Sequence, residues 1–190
     1  MRDQVTLYSA QAQPVRDVLT REGLCFSREA YVARKYGESA PIFLTAYRWF
    51  ARAAGDIVPP PPGAELPYWA FRDLYSVDLS GGCPPLTLAV PRDQAVFFDL
   101  YDWNKILRLE YLGETAEEER AFRRELAARG LTGRDVMLTA FYPDLKQTIL
   151  DSWSRLFHHH RAILSGDLAG VGGVQAALWQ IRREWVAAGL

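Results

Sequence analysis

The pattern of apolar and polar positions predicts short strands in the first half of the chain, with helices between and after them. Residues 4–9 (QVTLYS) alternate and include β-branched side chains, which is typical of a strand. Residues 86–90 and 95–98 are uncharged apolar runs on either side of a Pro-Arg-Asp-Gln turn, which predicts a hairpin or a strand–turn–strand. The aromatic-rich residues 68–74 predict one further strand.

Apolar residues spaced by three and four predict the helices. The predicted segments are 14–22 ending at Gly23, 28–36 after an N-cap at Ser27, 41–54, 114–129 after a cap at Thr115, 146–157 and 174–186. We therefore predict an α+β fold, in which a small, mainly antiparallel sheet from the N-terminal half packs with helices and the C-terminal half is helical. A length of 190 residues suits a single domain, 1–190, with a mixed part at 1–112 and a helical part at 113–190.

The stretch from 85 to 112 carries the most site-like feature of the sequence. Leu100, Trp103, Ile106 and Tyr111 fall on one face of a predicted helix that begins at Asp99. An aspartate at the first position caps such a helix, and a carboxylate in the first turn, here Asp102, favours the helix dipole. Two acids at a strand-to-helix junction next to a Trp are consistent with either plain capping or a site.

Composition excludes some classes of function. Twenty-two basic and 23 acidic residues nearly cancel, so strong binding of duplex nucleic acid is not expected. No apolar run approaches the roughly 20 residues of a membrane helix, and residues 1–11 are unlike a signal peptide. Cys25 and Cys83 lack a CxxC pattern and are interpreted as reduced thiols, so we predict a cytoplasmic protein with no metal.

The three histidines at 158–160 point in different directions on a helix and cannot all serve one metal ion. They are typical of a cation cluster at a helix end, where the carbonyl groups favour positive charge. A proton-shuttling role for one of them is the alternative.

Aromatic residues make up 13% of the chain, including six Trp. They can fill a core, or they can line a pocket for a planar ligand such as a nucleobase or nicotinamide. In the second case Asp99 or Asp102 would be catalytic, by orienting a ribose hydroxyl or acting as a general base. The candidate ligand-binding residues are Tyr47 and Trp103, which would stack on the ligand, and Tyr8 and Gln11, which would hydrogen-bond its polar edges.

Three functional hypotheses remain open on these residues. The first is an enzyme that acts on NAD or a nucleotide-like ligand. The second is a non-catalytic module that binds a small molecule, single-stranded nucleic acid or a protein. The third is a small biosynthetic enzyme that uses acid–base chemistry on an aromatic metabolite. The oligomeric state is not predicted.

Several segments in order resemble a bacterial family known as domain of unknown function 3841. They are TLYSAQ at 6–11 followed by Gly23, AYRWF at 46–50 with PYWAF at 67–71, FFDLYDWNKIL at 97–107, and SWSRLF at 152–157 with VQAALWQIRREWV at 174–186. The resemblance spans nearly the whole chain. The family often has Ser-Asp-Phe followed by Trp-His; Asp99 and Trp103 match this pattern, whereas Phe98 and Asn104 depart from it. The family has no assigned activity to carry over.

A second likeness, in outline only, is to small ADP-ribosyltransferase-like domains. The resemblance implies a transferase in which NAD lies between split strands, with an aromatic ring on the nicotinamide and an acid on the ribose or the acceptor. The Arg or His expected on the first strand is absent unless Gln11 replaces it. The final Glu is also missing unless Asp99, Asp102 or Glu110 takes its place.

Overall fold

A computed structural model describes residues 3–190 of the chain. The strands are β1 (Gln4–Ser9), β2 (Leu24–Cys25), β3 (Tyr68–Phe71), β4 (Leu86–Pro91), β5 (Val96–Asp99), β6 (Val174–Leu178), β7 (Ile181–Arg182) and β8 (Val186–Ala188). The helices are α1 (Gln13–Glu22), α2 (Glu29–Tyr36), α3 (Ala40–Gly55), α4 (Leu100–Leu107), α5 (Ala116–Ala128), α6 (Gly133–Met137), α7 (Pro143–Trp153) and α8 (His160–Ser165). Within this part of the chain every helix is too short or too polar to cross a membrane.

Six of the strands form one sheet in the order β5-β6-β3-β1-β4-β8, and every neighbouring pair is antiparallel. Strands β2 and β7 form a separate two-stranded sheet. The predicted α+β class with a mainly antiparallel sheet is confirmed. Strands from both ends of the sequence share this sheet. The single domain over 1–190 stays a prediction.

The helix predicted over 174–186 is wrong. Strand β6 begins this segment and lies between β3 and β5, and all five of its residues are buried. A strand covered on both faces is apolar at most positions, so its sequence does not show the alternation that would distinguish it from a buried helix. The helical part of the C-terminal half therefore ends with α8, and the chain then returns to the sheet.

Residues 86–98 form the strand–turn–strand, which is one of the two predicted alternatives. Strands β4 and β5 do not form the other, a hairpin, because β4 pairs with β1 and β5 pairs with β6. The turn between them, Arg92–Gln94, is a 3₁₀ turn. Ser27 does not cap α2: the N-cap is Arg28, with no side-chain cap hydrogen bond, and Ser27 instead forms a β-bridge with Leu66.

Other local signals are confirmed. Gly23 ends α1 with a left-handed φ of 76°, the conformation that glycine adopts most easily after a helix. The Thr115 hydroxyl caps α5 by accepting the backbone N–H of Glu118 at 3.2 Å. Such caps depend on neighbours three residues apart and so can be recognised in the sequence.

Each face of the six-stranded sheet carries its own core. We call one side the aliphatic face; its core includes Leu7, Leu88, Ala176 and Leu178, with Leu19 of α1 and Ile163 of α8. We call the other side the aromatic face; its core contains Phe98, Trp103, Trp153 and Phe50 together with much of α3, α4 and α7. Alternate residues of one strand point to opposite faces, so Gln175 and Ala177 lie on the aromatic face.

The short helix α8 covers β5, the edge strand of the sheet. The Nδ1 atom of His160 accepts the backbone N–H of Phe97 at 3.0 Å, which satisfies a donor on the open side of this strand. His160 is buried, and this burial lowers its pKa below the usual value of 6.5. The imidazole is therefore neutral in the folded protein at neutral pH.

We expect the free energy of unfolding to fall as the pH drops below about 6.5. In this range His160 binds a proton in the unfolded chain but not in the folded protein, where its pKa is lower. For one group the slope reaches at most about 1.4 kcal/mol per pH unit. Urea unfolding between pH 5 and 7.5 measures it. Glutamine at this position can still accept the Phe97 N–H but does not titrate, so His160→Gln flattens this part of the curve. The exposed His158→Gln is the control, and equal slopes in both variants would contradict the assignment.

Candidate functional site

Both oxygens of the Asp99 carboxylate accept hydrogen bonds from backbone N–H groups. One oxygen accepts the N–H groups of Tyr101 at 2.7 Å and Asp102 at 3.3 Å and so caps α4. The other oxygen accepts the N–H groups of Gly172 and Gly173 in the loop before β6. The cap is confirmed, and the same side chain also fastens the glycine-rich loop to the head of α4.

Asp99 does not lie on the side of the sheet that carries the predicted ligand-binding residue Tyr8. It is opposite Val174 in the sheet, and the Val174 side chain belongs to the core of the aliphatic face. Partners directly opposite in a sheet point to the same side. Asp99 is therefore on the other side of the sheet from Tyr8 and Phe98. As a catalytic residue it stays a prediction.

Asp102 lies in an ion-pair network on the outside of α4. Its carboxylate is 3.2 Å from Nζ of Lys105, and the same Nζ is 2.7 Å from Glu119 on α5. Burial lowers the pKa of Lys105, but the two acids raise it by more, so the net shift is upward. This lysine stays charged and holds α4 against α5; a catalytic role for Asp102 likewise stays a prediction.

Tyr47 and Trp103 meet in the core of the aromatic face. Their ring centroids are 5.9 Å apart, and Trp69 lies 5.1 Å from Tyr47 and 4.9 Å from Trp103. Trp103 is only 2% exposed, and burial raises the pKa of Tyr47. The two predicted stacking residues are thus together, but their rings pack against protein. Trp69 is the ring of this group that reaches the surface.

Gln11 lies at the end of β1, next to Trp69. Its Nε2 donates to the Ser9 hydroxyl at 2.9 Å, and that hydroxyl donates to the backbone oxygen of Trp69 at 2.6 Å. This chain of hydrogen bonds fixes the end of β1 against β3. Gln11 is half-buried, so its side chain keeps contact with solvent.

Tyr8 lies on a part of the aromatic face that is outside both hydrophobic cores. It is opposite Phe71 on one side and Thr87 on the other. These three residues and Ala89 are half-buried, and Thr6 is exposed. Neither core includes Tyr8 or Phe71. We call Thr6, Tyr8, Phe71, Thr87 and Ala89 the open strip.

The open strip lies where two strands separate. β1 pairs with β4 over six residue pairs but with β3 at the single pair Tyr8–Phe71. Beyond that pair the chain turns away from the sheet at Asp73, into a 3₁₀ turn at Leu74–Ser76. Tyr8 and Phe71 are thus the last pair before β1 and β3 separate.

Gln175 continues the row of the open strip into the buried half of the sheet. It is opposite Phe71 in β3 and Phe98 in β5. Its side chain is 3% exposed, and its Oε1 has no hydrogen-bond partner among residues 3–190. Gln175 was not predicted as a site residue, because the apolar pattern of residues 174–186 favoured a helix. A polar residue in a short apolar run after two glycines was the available signal.

Two shallow depressions lie elsewhere on the surface. One, of about 190 Å³, is lined by Pro91, Gln94, Arg182, Glu184 and Trp185. The other, of about 300 Å³, is lined by Arg120, Arg123, Arg124 and Ala127 on α5. Neither contains a predicted site residue. No group of three or more His, Cys, Asp or Glu that could hold a metal ion occurs in the described part of the chain.

Comparison with known families agrees with the resemblance seen in the sequence. The model of a domain of unknown function, DUF3841, matches residues 6–187. The chain belongs to this family. No curated protein and no solved structure matches the DUF3841 chain. The family has no described activity.

Proposed function

We propose that this protein binds a planar, nucleotide-like small molecule on the open strip, with NAD as the first candidate. The observation that carries the proposal is the pair Tyr8 and Phe71: two aromatic residues directly opposite each other in β1 and β3, on one sheet face, outside both cores and half-exposed. Aromatic rings elsewhere on this face pack into its core, so an uncovered pair needs another explanation. Flat rings that remain accessible are suited to stacking on a flat ligand.

The split between β1 and β3 supports a nucleotide in particular. Six residue pairs join β1 to β4, but only one joins β1 to β3, so backbone groups on the β3 side of β1 are left for other partners. Polar groups beside aromatic rings are what a ligand with a ring and a sugar requires. A split between strands is also where NAD lies in the ADP-ribosyltransferase-like domains that the chain resembles in outline.

Transfer chemistry is a further step of the proposal. Asp99 faces the opposite side of the sheet, which leaves Asp102 and Glu110 as the candidates for the acid; each is in an ion pair with a neighbouring cation. An assay for nicotinamide release from NAD tests this step. The expected result is that Asp102→Asn abolishes turnover and keeps binding; turnover that survives in Asp102→Asn would exclude this residue.

Thermal unfolding with a ligand panel tests the binding itself. The panel contains NAD, nicotinamide mononucleotide, AMP, tryptophan and a short single-stranded oligonucleotide. A ligand at one hundred times its Kd should raise the Tm by about 5–10 °C for a chain of this size. We expect Phe71→Leu and Tyr8→Leu to remove most of this increase, because they remove a stacking ring and keep an apolar side chain.

The control is Phe141→Leu, which removes a ring that is 81% exposed in the connection between α6 and α7. It should leave the increase in Tm unchanged. A panel without any stabilising ligand would contradict the proposal, as would an increase that persists in both ring variants. Stabilisation by the oligonucleotide alone would favour a module for single-stranded nucleic acid.

A further inference from the structure

The buried amide of Gln175 has a hydrogen-bonding capacity that the fold does not use. Glutamine offers one oxygen that accepts and one amino group that donates. In this chain the oxygen is buried and has no partner in the part of the protein that the structure describes. A buried polar group of this kind costs stability, and native proteins rarely keep one without a reason.

Gln175 lies next to the open strip, so its unpaired oxygen is close to the proposed binding surface. Gln175, Phe71 and Tyr8 are consecutive members of one row across three strands, and all point to the aromatic face. Neighbouring residues in such a row have Cβ atoms about 5 Å apart. For a ring that stacks on Phe71, a change of the half-exposed Phe71 rotamer that keeps this stacking brings the edge of the ligand ring within reach of the Gln175 amide.

Resting on the function proposed above, we infer that Gln175 recognises the edge of a planar ring on which an N–H donor stands beside an acceptor. The ligand N–H donates to Gln175 Oε1, and the Gln175 amino group donates to the ligand acceptor. The carboxamide of nicotinamide presents such an edge, and adenine presents one through its amino group and adjacent ring nitrogen. The row thus supplies stacking from Tyr8 and Phe71 and selectivity from Gln175.

Because no residue of this row is charged, the row should bind a ligand whose recognised edge is neutral. The members of the row from Thr87 through Tyr8, Phe71 and Gln175 to Phe98 carry no charged side chain. A carboxylate placed against the Gln175 oxygen would meet an acceptor and be desolvated without a partner, which is unfavourable. The site should therefore prefer nicotinamide over nicotinic acid in the same nucleotide.

Titration calorimetry with two matched pairs of nucleotides tests the inference. The first pair is nicotinamide mononucleotide and nicotinic acid mononucleotide, and the second is AMP and purine riboside monophosphate, which lacks the amino group. We expect the wild-type protein to prefer the member with the complete edge in at least one pair, by about ten- to a hundredfold. The pair that shows the preference identifies the nicotinamide or the adenine as the recognised ring.

The variant Gln175→Met separates recognition from a structural role. It keeps the length of the side chain and removes the unsatisfied oxygen, so we expect the Tm without ligand to stay equal or rise while the preference within the pair disappears. Gln180→Met, at a residue that is buried to a similar extent outside the row, should keep the preference.

The titrations distinguish a failure of the proposed function from a failure of the inference about Gln175. If the wild-type protein binds none of the four nucleotides, the proposed function fails and takes the inference with it. If it binds both members of each pair equally, the inference is overturned and the proposed function stands. A loss of Tm in Gln175→Met with an unchanged preference also overturns the inference, because it shows a structural amide.

Discussion

Replacing the buried Asp99 by alanine should cost about 3–4 kcal/mol of the free energy of unfolding. The loss of the α4 cap accounts for about 1–2 kcal/mol. The N–H groups of Gly172 and Gly173 lose their acceptor as well, which leaves two more donors without a partner. Urea unfolding measures the difference.

The matched control is Thr115→Ala, which removes a cap with a single hydrogen bond at the head of the exposed helix α5. It should cost about 1 kcal/mol. Asp99→Asn should fall between the two, since an amide keeps one acceptor but turns a donor towards N–H groups. Equal losses for Asp99→Ala and Thr115→Ala would show that the loop before β6 does not depend on this carboxylate.

The second large effect is expected at Arg16, a buried arginine of α1. Its guanidinium donates to three backbone oxygens, those of Gln11, Pro84 and Gly189. It thus connects the start of α1 to the segment before β4 and to the residue after β8. Arg16→Met keeps the apolar stem but removes three hydrogen bonds that a buried charged group makes to backbone oxygens, so we expect a loss of about 2–4 kcal/mol.

Arg16→Lys should recover only part of this loss, because an ammonium group on a flexible stem cannot replace the planar fork of a guanidinium that reaches three separate acceptors. The control is Arg21→Met on the same helix, whose side chain is 67% exposed and which should show no measurable loss. Chemical unfolding of the three variants tests the prediction. A loss in Arg16→Met no larger than in Arg21→Met would contradict it.

The losses expected at Asp99 and Arg16 have a common origin, because both side chains bind backbone groups of segments next to the sheet strands. Asp99 secures the loop that leads into β6, and Arg16 secures the chain next to β4 and β8. In each case one charged side chain satisfies several backbone groups from distant parts of the sequence. Such groups are costly to leave unpaired and cannot be served by the regular ladder of a sheet.

Only part of the candidate site could be predicted from the sequence. Tyr47 and Trp103 were predicted to act together and do meet, but they meet inside a core. Tyr8 was predicted to contact a ligand and does lie on an uncovered face. Gln175 was not predicted at all, because the strand that carries it is buried on both faces and so lacks the alternation of a typical strand.

By itself the sequence determined the features that depend on close neighbours. The β1 strand, the end of α1 at Gly23 and the caps at Asp99 and Thr115 follow from alternation, backbone freedom or a side chain that bonds two or three residues away. Only the tertiary structure decided which strands pair, which face Asp99 points to, and that the last segment is a strand. Strand pairing joins residues as distant as Trp69 and Ala177, and their contact depends on the complete sheet rather than on any local pattern.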